Sequence, residues 1–121
     1  MSAPFKTIPN TRSLRTYTVT FTYAAFRCRY EMEPDKVNFA TLTLTYAPNA
    51  LLFDFPTFMD YLRSYESEPT SLESAANRIL DDVFEVLQPI WAHVRLRTER
   101  EHGVVIVIEA SQGDVPSVAR L

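Results

Sequence analysis

One cysteine and two glycines occur in 121 residues, and each scarcity removes a class of function. A single thiol, Cys28, cannot close an internal disulfide and supplies too few ligands for a structural zinc site. Gly103 and Gly113 stand apart, so the glycine-rich loops that cradle phosphates in Rossmann and P-loop proteins are missing. No His-x-x-x-His or Cys-x-x-Cys pair offers a metal site, and His93 and His102 stand alone. No apolar run is long enough to cross a bilayer, and the N-terminus lacks the apolar stretch of a signal peptide. Positive charge is also short: the net charge of −3 gives no bulk attraction to nucleic acid. An unpaired thiol suits a reducing compartment, so the expected location is cytoplasmic. With no linker, repeat or low-complexity tract, residues 1–121 are expected to form one domain, with 1–14 an extended N-terminal arm.

What is present is hydrophobic periodicity. Over residues 16–26, Tyr17, Val19, Phe21 and Tyr23 alternate with Thr18, Thr20 and Thr22, the period-two signature of a strand. Residues 39–47 repeat it, with Ala40, Leu42, Leu44 and Tyr46 on one face and Thr41, Thr43 and Thr45 on the other. Pro48-Asn49 ends that strand. The period then changes. Phe58, Tyr61, Leu62 and Tyr65 form one helical stripe, with Pro56 suited to its first turn. A second helix opens at Thr70-Ser71-Leu72-Glu73, turns Leu72, Ala75, Ala76, Ile79, Leu80, Val83 and Leu87 inward, and stops before Pro89. Strands follow at 90–98 and 104–110, joined by a turn over 99–103. The order β-β-α-α-β-β predicts an α+β layer: a four-stranded antiparallel sheet with both helices on one face. The open sheet face and unpaired edges predict a homo-oligomer joined edge to edge around a lined tunnel, with its active sites between subunits.

Cys28 is either an inert packing residue or a nucleophile, and its neighbours bear on the choice. Arg27 and Arg29 flank it, and positive charge favours the thiolate. Asp35 follows seven positions on, within Cys28-Arg29-Tyr30-Glu31-Met32-Glu33-Pro34-Asp35, as a candidate proton carrier or an ordinary turn aspartate. Glu73 is either the third member of a capping box or a carboxylate free to accept from a ligand. Trp91, His93, Arg95 and Arg97 share one strand face, which is either solvated and tunnel-lining or a stacking and phosphate-contact surface for RNA.

These residues carry a resemblance. The element order is that of the tunnelling fold (T-fold), and Cys28, Pro34-Asp35, Phe39-Ala40 and Tyr46-Ala47-Pro48-Asn49 resemble the QueF family, which acts on 7-cyano-7-deazaguanine. The likeness covers residues 20–118, and the tail from Glu109 to Pro116 resembles the short, non-reducing members. It implies catalysis by Cys28, whose thiolate would add to the nitrile as a thioimide, with Asp35 as proton carrier. It implies substrate contacts from Glu73, as base anchor, and from Phe39. Arg95 and Arg97 would contact RNA if the base is already in tRNA.

Three departures qualify the likeness. Lys36-Val37-Asn38 separate Pro-Asp from Phe-Ala, so Asp35 or Asn38 takes the acid position, and the spacing from Cys28 favours Asp35. Leu72 stands where the family has a histidine before the anchoring glutamate. In place of the reductases' Glu-Ser-Lys-x-x-Lys motif, Asp54 to Tyr61 contains no cation and two carboxylates, an unfavourable site for NADPH. The expected function is therefore amidine formation from 7-cyano-7-deazaguanine, as free base or in tRNA, with ammonia as co-substrate and no cofactor or metal. The NADPH-dependent reductase and a non-catalytic purine-binding T-fold protein are the alternatives.

Overall fold

The structure is a computed structural model and describes residues 3–116. Within them the strands are β1 (Thr7–Pro9), β2 (Val19–Arg29), β3 (Val37–Ala47), β4 (Leu51–Phe53), β5 (Trp91–Glu99) and β6 (Val105–Gly113). The helices are α1 (Phe55–Arg63), extended by a 3-10 turn over Ser64–Ser67, and α2 (Leu72–Leu87). β2-β3-β5-β6 form an antiparallel sheet in that order, with two helices as expected. Leu42, Leu44, Tyr46, Ala92, Val94 and Leu96 are buried and share a core with every inward residue expected of α2. That packing, more than helix propensity, makes α2 stable.

Local chemistry sets the helix boundaries. Asp54 caps α1 by accepting from the Thr57 amide at 3.3 Å, and Ser71 caps α2 by accepting from the Ser74 amide at 3.0 Å. Gln88 ends α2 in the left-handed region at φ 47°, immediately before Pro89. Phe58 is fully buried at the centre of an aromatic cluster, 4.6 Å from Phe53 and 4.9 Å from Phe5 between ring centroids. Tyr61 donates to Asp82 at 2.5 Å, and burial pushes its phenol pKa up.

Two features lie outside the sequence expectations. The segment expected as an extended arm includes β1, which pairs with β4 as a second small sheet, and Phe5, which enters the core; residues 1 and 2 lie outside the described residues. β2 also runs on to Arg29 through a bulge between Tyr23 and Phe26, where three steps on β2 match two on β3. One extra residue reverses the phase of a strand. Val19, Phe21 and Tyr23 pack against the core before the bulge, and Phe26 and Cys28 do so after it.

Candidate functional site

A cavity of about 470 Å³ opens where the β2–β3 turn, the start of α2 and the β5–β6 end of the sheet converge. That size is within the range of small-molecule sites. Asn38 enters it from β3, Tyr30 from the end of β2, Thr98 and Arg100 from the end of β5, and Ile106 and Ile108 from β6. Thr70, Ser71, Leu72 and Glu73 form the α2 wall. The Arg100 guanidinium donates to the Tyr30 hydroxyl and, at 2.9 Å, to Asn38 Oδ1, and lies over the Tyr30 ring. Asn38 is thereby a buried, oriented amide.

The capping-box reading of Glu73 does not hold. Ser71 is the N-cap, which puts Glu73 at the second helical position, one short of the reciprocal geometry. The Ser71 amide donates instead to Glu31 Oε1 at 3.0 Å. The Glu73 carboxylate is exposed to the cavity and has no hydrogen bond or ion pair among the described residues. Its oxygens are free to accept from a ligand.

Cys28 stands differently from the expectation. It is fully buried, does not line the cavity, and donates to the Thr70 carbonyl at 3.4 Å. The flanking arginines do not activate it, because neighbours in a strand point to opposite faces. Arg27 pairs with Glu66 at 3.2 Å, and Arg29 Nε donates to the Glu66 carbonyl at 3.1 Å. Burial, reinforced by the charge of Glu68, pushes the thiol pKa up from its ordinary 9.0. The thiol still lies directly behind the cavity wall: its cross-strand partner is Asn38 and its acceptor is Thr70, and both line the cavity.

Asp35 is exposed in the turn Glu33-Pro34-Asp35-Lys36, closed by the Lys36 amide donating to the Glu33 carbonyl at 2.9 Å, and does not line the cavity. Its alternative, Asn38, does. Val37 and Asn38, read as part of an insertion, are the first residues of β3. Phe39 is 56% exposed and absent from the cavity lining, since it alternates with Asn38. Arg95 and Arg97 lie on the sheet face away from the helices. Arg97 pairs with Glu99 at 2.9 Å, Glu109 stands opposite Arg95, and His93 meets Glu109 at 3.0 Å. That face is of mixed charge, not a cationic stripe.

The model of the QueF-like protein family matches residues 34–117. Among curated relatives, the NADPH-dependent 7-cyano-7-deazaguanine reductase of Syntrophus aciditrophicus is 35% identical over 111 residues, covering 90% of this chain and 77% of the relative. The chain belongs to the QueF-like family. The reductase of the same name from Anaeromyxobacter sp. strain K is 30% identical over 118 residues, covering 96% of this chain and 94% of its own. The archaeosine synthase QueF-Like in its apo form shares the fold, with a TM-score of 0.73 at 19% identity, covering 82% of this chain and 96% of that one.

Family membership sharpens the meaning of the site. Arg100, Tyr30 and Thr98 were not found as site residues in the sequence, and Asn38 was named there only as the second choice for the acid position. At α1, Asp54 is committed to capping and Asp60 lies 4.0 Å from Arg63. Among the described residues no helix is long and apolar enough to cross a membrane, and no three potential ligands cluster to hold a metal.

Proposed function

We propose that this QueF-like chain binds a 7-deazaguanine base in the cavity, with Glu73 accepting from the ring N–H and the exocyclic amino group. The uncommitted Glu73 carboxylate carries the reading. Two adjacent donors on a guanine edge match two carboxylate oxygens, as a bidentate charge-assisted pair. Thr70 and Ser71 supply polar edges beside it, and Leu72, Ile106 and Ile108 supply apolar surface for a planar ring. The names of the curated relatives favour the same class of base.

A second reading adds chemistry. Cys28, behind Asn38 and Thr70, would rotate out of the core, add to a nitrile as thiolate, and form a thioimide. Ammonia would then add to the thioimide carbon, and expulsion of the thiolate would leave the amidine. The relatives' names favour hydride from NADPH at that step instead, and the acidic start of α1 opposes it. The enclosure of Cys28 supports binding more directly than turnover.

One experiment separates the readings. Calorimetric titration with 7-deazaguanine and its 7-cyano derivative, on the wild type and Glu73→Gln, tests binding. Intact mass and product analysis with ammonium or NADPH test chemistry. Binding that depends on Glu73 without a mass change supports the base-binding reading. An adduct lost in Cys28→Ala supports the thioimide, amidine formed with ammonium alone supports amidine synthesis, and matched NADPH consumption supports the reductase. Absence of any Glu73-dependent binding overturns the proposal.

A further inference from the structure

The buried amide of Asn38 has one end occupied and one end open. Arg100 donates to its Oδ1 at 2.9 Å and to the Tyr30 hydroxyl, and lies over the Tyr30 ring. A guanidinium carries only donors, so the amide oxygen is the end that must face it. The nitrogen, Nδ2, is thereby turned away from Arg100, and it donates to no group among the described residues. No fully buried side-chain nitrogen or oxygen among those residues lacks a partner. Nδ2 therefore keeps accessible surface, although Asn38 as a whole is only 4% exposed, and the cavity that Asn38 lines is where that surface lies. Other donors in the lining are committed: Thr98 and Thr70 donate to the Phe39 and Ser71 carbonyls at 2.6 and 3.3 Å, and Lys36 pairs with Glu33 at 2.7 Å.

Strand register shows which part of a base this donor meets. Asn38 and Cys28 are cross-strand partners, and such partners direct their side chains to the same face of a sheet. A ligand group that reaches Nδ2 is therefore also the group nearest the thiol. With Glu73 on the N–H and amino edge of the six-membered ring, the 7-substituent leaves the five-membered ring on the side away from that carboxylate.

We infer that Arg100 is a positioning residue: it turns the Asn38 amide so that Nδ2 points into the cavity and donates to the acceptor atom of the 7-substituent, which in 7-cyano-7-deazaguanine is the nitrile nitrogen. The inference rests on the base-binding reading and adds to it the residue that reads the substituent. The same donor serves whether the nitrile stays intact or Cys28 adds to it, because the nitrogen remains an acceptor in a thioimide. Aspartate at position 38 would pair with Arg100 and turn a second acceptor toward the nitrile, which would weaken binding.

Calorimetric titration with 7-cyano- and unsubstituted 7-deazaguanine, on the full chain in a Cys28→Ala background that keeps the nitrile intact, provides the test. The nitrile base is expected to bind about fivefold more tightly than the unsubstituted one, as one neutral hydrogen bond implies. Asn38→Leu is expected to remove that preference, Asn38→Asp to reverse it, Arg100→Met to reduce it toward the Asn38→Leu value, and Arg100→Lys, still a donor alone, to keep it. A purely structural role for Arg100 would instead weaken both bases equally and leave their ratio unchanged. If Arg100→Met does not fold, the Asn38 side-chain amide resonances decide: a shift on adding the nitrile base but not the unsubstituted base supports the inference, and no such shift overturns it. A ratio unaffected by Asn38→Leu and Arg100→Met, with binding still dependent on Glu73, overturns this inference and leaves base binding standing. Failure of both bases to bind overturns both.

Discussion

Alkylation of Cys28 in the free protein discriminates sharply between a packed thiol and a primed nucleophile. The thiol has no exposed surface, and the segment Glu68–Thr70 covers it. Exposing it by lifting that segment breaks the Arg29 amide's bond to the Glu68 carbonyl and the Thr70 amide's bond to the Arg29 carbonyl, each 3.0 Å, as well as the thiol's own bond. At about 1 kcal/mol net for each, the opening costs about 3 kcal/mol. Roughly one molecule in a hundred is then open at any moment. Iodoacetamide should therefore modify native Cys28 about a hundredfold more slowly than the same chain in urea, where the thiol is free. The raised pKa adds a pH signature: the native rate should climb through pH 9 without a plateau, since the thiolate does not accumulate at neutral pH. The sign for stability follows. A folded pKa above the unfolded one stabilises below pH 9 and loses that contribution as pH rises through the folded value, so the wild type should lose stability relative to Cys28→Ala above pH 9. Intact mass at timed quenches is the assay. A native rate within about threefold of the rate in urea, or a plateau below pH 8, would refute the reasoning, because either requires an accessible thiolate.

Phe58→Ala should cost about 3–5 kcal/mol in urea denaturation, because it leaves a cavity among Phe5, Phe21, Phe53 and Tyr61; a loss below 1 kcal/mol would deny the aromatic cluster its place in the core. Ser71→Ala should cost about 1 kcal/mol, while Glu73→Ala should change stability by less than about 0.5 kcal/mol; the reverse order would restore the capping box. β6 is an edge strand with Val105, Ile106 and Val107 between 39% and 47% exposed, so mass photometry should find a homo-oligomer, and a Val107→Lys substitution should shift it toward smaller species. A 13.9 kDa monomer that binds the base as proposed would count against edge-to-edge assembly.

Sequence periodicity alone determined the order of the four long strands and two helices, the α+β layer and the inward face of α2, because burial of one stripe or one strand face is a local pattern repeated many times. The turn chemistry at Pro48-Asn49 and before Pro89 was legible for the same reason. Glu73 was named through the family resemblance and lines the cavity, but its release from capping was not legible: whether Glu73 or Glu31 reaches the Ser71 amide is a contact across forty residues. The fate of Cys28 was decided by the bulge after Tyr23. Continued at period two, the strand would have turned Arg27 and Arg29 toward the helices and the thiol away; one extra residue reversed this and buried the thiol. β1 and β4, three residues each, are too short to show a period and exist only because they pair with each other. The cavity itself is tertiary. Asn38, Glu73 and Arg100 belong to a strand, a helix start and a turn, and only antiparallel pairing of β3 with β5, with α2 laid beside β5 and β6, gathers their charges and donors around one space.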